Sequence, residues 1–252
     1  MRNESVTHEH AVSHVGLYGA AAAAIGVVTS GPIAMVVVAA TKPQPPWVDA
    51  RTFAEHFHAI QLLPFLCGLL LVTGFVAVVA TLQSMASPPQ RAASACAMAF
   101  ATIFGALISF NYIVQVSFVP SLVRDYSEGN AALIAAFSMT HPGSFAWSLE
   151  MWGYAFLGAA TWLVAPIFAG SGLETVTRWA FILNGPVSIA GAAWTVADPG
   201  WEQTSIGLVA FSAWNLLALL MAASAYVVFR WRLRGYARRS HAPRAVGPVF
   251  TA

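Results

Sequence analysis

The chain has 252 residues, of which 58% are hydrophobic and only 9% charged, with a formal net charge of +2. Soluble domains carry about a quarter charged residues, so this composition excludes an ordinary soluble domain and points to a polytopic membrane protein. Most apolar stretches exceed the roughly 20 residues a helix needs to cross the hydrocarbon, and the strand alternation of an outer-membrane barrel is absent. The expected fold is therefore all-α, a bundle of six transmembrane helices, with a cytoplasmic tail at 1–14, the membrane domain at 15–229 and a basic cytoplasmic tail at 230–252.

Residues 1–14 are polar and lack the basic n-region and short apolar core of a signal peptide, so the first apolar helix, 15–40, is expected to be retained. Ser30-Gly31-Pro32 stands near its middle, where Pro32 deprives the Val28 carbonyl of its donor, and a kink is expected there. Pro43, Pro45 and Pro46 then forbid regular helix before a short approach, Glu55 to His58. The second helix covers 58–82, with Gln61 and Pro64 in its first turns, and Ser87-Pro88-Pro89 breaks it. The third, 94–119, carries Ser109, Asn111 and Gln115.

The longest connection, 120–142, combines a polar loop with an apolar portion at 130–140 that suits either the interface or a partial dip into the bundle. The fourth helix, 145–168, contains Glu150, the single acid well inside a long apolar run. Gly170-Ser171-Gly172 turns the chain into the fifth helix, 178–197, which holds Asn184-Gly185-Pro186. Asp198-Pro199-Gly200 is a strong turn signal before the sixth helix, 204–229.

Six spans put both termini on one side. Arg2, Arg91, Arg178 and the tail residues Arg230, Arg232, Arg234, Arg238, Arg239 and Arg244 share that side, against Lys42, Arg51 and Arg124 on the other. The excess of basic residues marks the termini as cytoplasmic, and the expected location is the plasma (inner) membrane. The expected partners are the bilayer, with anionic lipid headgroups at the C-terminal tail, and a small amphiphilic ligand; nucleic acid is not expected, because a basic run directly after an apolar helix suits lipid headgroups.

A charge inside the hydrocarbon is costly, so intramembrane acids face a bundle interior or a watery cavity. Asn111 and Gln115, at i and i+4, share a helix face near the outer end of the third helix. Glu150 lies at a similar level on the fourth helix, flanked by Trp147 and Tyr154, and His58 and Gln61 enter from the start of the second. These seven residues (Glu150, Asn111, Gln115, Trp147, Tyr154, Gln61 and His58) form the expected ligand-binding group, lining a polar cavity that opens outward. Within it, Glu150 acts as a neutral donor or switchable proton carrier, or else pins two helices through Asn111 or Gln115. Asn184 and Asn215 are expected to serve packing or the helix kink.

Three functions compete: binding or transport of a small amphiphilic or lipid-like ligand, acid–base catalysis by Glu150 with His58 or His141 on a hydrophobic substrate, and a non-catalytic assembly subunit. Glu55 and His58 offer a one-turn ligand pair, for which His141 and Glu150 are the remaining candidates, but a metal site is not expected. No phosphate-binding loop, nucleophile elbow, zinc-protease helix or dinucleotide fingerprint occurs, and the sequence identifies no particular cofactor, leaving that question open. Cys67 and Cys96 lie at different depths and form no metal or redox motif.

Overall fold

The structure, a computed structural model, describes residues 2–240, and every regular element in that range is helical. The first helix, α1 (Arg2–Val28), passes through a π-helical turn (Thr29–Ile33) into α2 (Ala34–Thr41). Pro32 has no N–H to offer, and the ladder resumes with the Ala34 N–H donating five residues back to the Thr29 carbonyl, so the helix accommodates the proline by a π-helical turn at the position where a kink was expected. The polar stretch 1–14 is thus helical from Arg2 onward, continuous with the apolar helix.

The proline-rich segment runs without helix to α3 (Ala50–Glu55), whose N-cap Asp49 accepts from the Thr52 N–H at 2.7 Å. A 3-10 turn (Ala59–Leu62) leads into α4 (Leu63–Ser84). Next come α5 (Arg91–Ile113), a second π-helical turn (Val114–Phe118), and α6 (Val119–Arg124). The apolar part of the long connection folds as α7 (Ala131–Phe137), whose Ile134 is buried beside Val114, Val119 and Phe53. Last are α8 (Phe145–Val164), α9 (Leu173–Ala197) and α10 (Ser205–Ser240). The fifth expected helix therefore starts five residues earlier, at Leu173, and the basic segment expected as a tail continues α10 as far as Ser240. Arg244 lies outside the described residues.

Helix α1 packs on α4 and α10, and α8 lies between α5 and α9. The α1–α4 contact brings backbones together: a Cβ added at Gly26 would stand 2.3 Å from the Leu71 nitrogen, and one at Gly74 2.3 Å from that of Ala23. Small residues permit this approach, a dispersion-driven packing that suits a bundle surrounded by lipid. At one end of the bundle Arg232 forms an ion pair with Glu174 at 3.1 Å, and Gln90 donates to the Pro166 carbonyl at 3.0 Å. At the other end Arg51 pairs with Glu128, and His141 stacks on Trp47 at 4.7 Å.

Five helices among the described residues are long and apolar enough to cross a membrane: Ala11–Thr41, Ala59–Ser84, Pro88–Arg124, Leu173–Ala197 and Ser205–Gly235. The remaining expected span, α8, falls outside that set because Ser148, Glu150 and several aromatic residues dilute its apolar composition. It is also the helix most enclosed by protein, with Glu150, Leu157, Ala160, Thr161 and Val164 all buried. A helix shielded by its neighbours has less need of an apolar surface.

Candidate functional site

Helix α8 starts at a defined point because the Ser144 side chain caps it, accepting from the Trp147 N–H at 2.9 Å. Glu150 follows five residues into the helix, roughly 7–8 Å along its axis at 1.5 Å per residue. It is 7% exposed, and both carboxyl oxygens are engaged. Asn111 Nδ2 donates to Oε2 at 3.0 Å, and the Tyr112 hydroxyl donates to Oε1 at 2.8 Å. No described lysine, arginine or histidine stands within ion-pair distance of this carboxyl.

Both donors come from α5, so the acid ties α5 to α8. Asn111 also donates to the Ala146 carbonyl at 3.1 Å, and the Tyr112 hydroxyl meets that of Tyr154 at 3.1 Å. Tyr112 reaches this position because α4 presents Gly68 to its ring, where an added Cβ would stand 2.3 Å from Cε2. Gln115, within the second π-helical turn, extends the chain of polar contacts. Its amide donates to the Phe137 carbonyl at 2.7 Å and to Asn111 Oδ1 at 3.4 Å.

Two cavities flank this network. One, of about 250 Å³, lies between α8, α9 and α10 and is lined by Glu150, Tyr154, Trp194, Trp201, Phe211 and Trp214 among others. The second, of about 490 Å³, is lined by Met35, Gln44, Phe53, Gln61, Gln115 and Met139 among others. Buried and partly buried hydrogen bonds fix the aromatic wall of the smaller one. Trp214 Nε1 donates to Asn184 Oδ1 and Ser188 Oγ, both at 3.1 Å, and Trp201 Nε1 donates to Thr195 Oγ1 at 2.8 Å. Trp194 stacks on Trp201 at 4.7 Å, and Tyr154 meets Trp214 edge-on at 4.7 Å.

Of the seven residues expected at the site, Glu150, Asn111, Gln115 and Tyr154 form one connected group, with Glu150 and Tyr154 on the smaller cavity and Gln115 on the larger. Trp147 packs behind the cavity with Met151, Ala155, Ala192 and Trp201, and its indole N–H has no partner among the described residues. Gln61 and His58 do not join the group. The Gln61 amide accepts from the His58 N–H and donates to the Lys42 and His56 carbonyls, each at 3.0 Å, so it locks the turn entering α4 while its stem borders the larger cavity. His58 is exposed at the start of that turn.

His141 is likewise committed elsewhere, with Nδ1 2.9 Å from the Ala135 carbonyl and its ring on Trp47. No three His, Cys, Asp or Glu side chains gather at metal-binding distance among the described residues. Asn184 and Asn215 differ in role. Asn184 bonds Thr161 at 3.0 Å as well as Trp214, linking α8, α9 and α10, whereas Asn215 donates to the Phe211 carbonyl of its own helix at 2.9 Å. Comparison of the chain with protein-family models, curated proteins and solved structures found no match.

Proposed function

We propose that the protein crosses the membrane six times, with α8 as the enclosed sixth span, and that it binds or transports a small amphiphilic or lipid-like ligand in the cavity beside Glu150. The carrying observation is an acid more than nine-tenths buried, held by two neutral donors, on the lining of an otherwise largely apolar 250 Å³ cavity. Apolar walls with a few fixed polar groups are what small-molecule sites require. A pin between helices needs no adjoining space, and an acid–base enzyme would need a proton partner for Glu150; of the two imidazoles considered for that role, His141 is bonded to the Ala135 carbonyl and His58 is exposed at the turn before α4, outside the Glu150 network.

Orientation follows from charge. The end that holds the α8 N-terminus also holds Lys42, Arg51 and Arg124, while the larger set of basic residues lies at the opposite end. Under the positive-inside rule the termini are cytoplasmic and Glu150 sits toward the outer leaflet; the proposed location is the plasma (inner) membrane. The exposed basic residues of the C-terminal segment then meet anionic lipid headgroups, except Arg232, which is engaged by Glu174.

Native mass spectrometry of the full chain released from its own membranes in neutral detergent tests this reading. Wild type is expected to carry a non-covalent small-molecule adduct that is lost in Glu150→Gln. Identical spectra for the two chains would contradict it.

A further inference from the structure

The aromatic cavity beside Glu150 has a composition that selects among amphiphiles. Three tryptophans, a tyrosine and Phe211 line it together with one acid. Two of the indole N–H groups are already spent inside the protein, that of Trp214 on Asn184 and Ser188 and that of Trp201 on Thr195. What these rings retain for a ligand is π surface rather than N–H donors. An anionic or strongly hydrogen-bond-accepting headgroup would therefore find few partners.

The Glu150 carboxyl has two neutral donors, Asn111 and Tyr112, and no described basic side chain beside it. Aromatic faces attract cations through the ring quadrupole, tryptophan most strongly, and desolvated cages of this kind recognise quaternary ammonium groups. A carboxylate in low dielectric adds the opposite charge. Val187, Ala190 and Trp194 are exposed where α9 borders the cavity, so its wall continues to the outer surface of the bundle.

We infer that this cavity binds an organic cation, a protonated amine or quaternary ammonium with apolar substituents, held between the tryptophan faces and Glu150. This rests on the ligand-cavity reading above and adds the charge of the ligand to it. A volume of about 250 Å³ lies just below the roughly 300–1,000 Å³ of drug-sized sites, so the part enclosed is a compact headgroup.

The test uses a pair of near-isosteric probes, phenyltrimethylammonium and the neutral tert-butylbenzene, titrated by tryptophan fluorescence into the full chain in neutral detergent. The cation is expected to bind about tenfold or more tightly than its neutral counterpart, and Glu150→Gln is expected to remove that preference while leaving the neutral affinity in place. Trp194→Leu, at an exposed position, provides a second variant should Glu150→Gln not fold; it is expected to weaken the cation several-fold more than the neutral probe. Equal affinity for the two probes in wild type, or a preference for the cation that survives Glu150→Gln, would overturn the cation inference and leave the cavity reading standing. Failure of both probes to bind would overturn both.

Discussion

Tyr112→Phe removes one hydroxyl and keeps the ring that packs between Gly68 and Phe65. The lost group donates to Glu150 Oε1 at 2.8 Å and contacts the Tyr154 hydroxyl at 3.1 Å. A hydrogen bond to a charged group is worth about 1.5–3 kcal/mol in soluble proteins. Between helices in membranes the average is only about 0.6 and the maximum about 1.7, because the unfolded chain also finds partners there. This bond joins two fully packed helices and serves an acid, so Tyr112→Phe should cost about 1–2 kcal/mol, near the upper membrane value. The assay is unfolding by sodium dodecyl sulfate in mixed micelles, followed by circular dichroism, for Tyr112→Phe, Glu150→Met and the double variant. The expected coupling is about 1 kcal/mol; a value within the roughly 0.3–0.5 kcal/mol scatter of independent sites would show that the hydroxyl does not hold the acid. Tyr154→Phe, which removes only the weaker hydroxyl pair, should cost less than Tyr112→Phe.

Gly26→Ala should destabilise by about 1–3 kcal/mol in the same titration, because the new methyl meets the Leu71 backbone and the helices must part. Asn184→Leu should cost about 1–3 kcal/mol by removing the amide that donates to Thr161 Oγ1 and accepts from both Trp214 and Ser188, and it should also shift the tryptophan emission; unchanged emission would mean that Asn184 does not hold the indole. Glu202, in the turn between α9 and α10, has its carboxyl pushed up by burial, and one of its oxygens is buried without a partner. A raised folded value means that the folded state holds the proton more firmly, so this contribution to stability is fully present below the ordinary carboxylate range and is lost as pH rises through the raised value. Thermal midpoints recorded from acid to neutral pH should therefore fall over that window in wild type and less in Glu202→Gln; parallel curves would refute the assignment.

Glu150 was legible in the sequence because a lone acid in an apolar run must find polar company, and Asn111 and Gln115 were legible because their spacing puts them on one face. Tyr112 was not, since it lies one residue around the helix from Asn111, and its access to Glu150 depends on Gly68 of another helix leaving room for the ring. Hydropathy gives depth without azimuth. His58 and Gln61 were therefore grouped with Glu150 by level, although their hydrogen bonds stay within the turn before α4. Nothing in their spacing brings Trp194, Trp201 and Trp214, which stand on α9, the turn after it and α10, to one wall; only the packing of these segments does. Asn184 beside Gly185 and Pro186 read as part of a kink, whereas its amide holds that wall through Trp214. The same residues that furnish the site lower the hydropathy of α8, so the helix at the centre of the bundle carries the weakest spanning signal.

The most direct measurement is fluorine NMR of the full chain labelled with 5-fluorotryptophan, which gives a resonance for each of the nine tryptophans. Substitutions would assign Trp194, Trp201 and Trp214, and phenyltrimethylammonium or tert-butylbenzene would then be titrated in. With at least one probe, the three cavity resonances should move together and saturably while those of Trp47 and Trp231 stay in place. Uniform, non-saturating drift of all nine, or movement that spares these three, would contradict a ligand cavity beside Glu150.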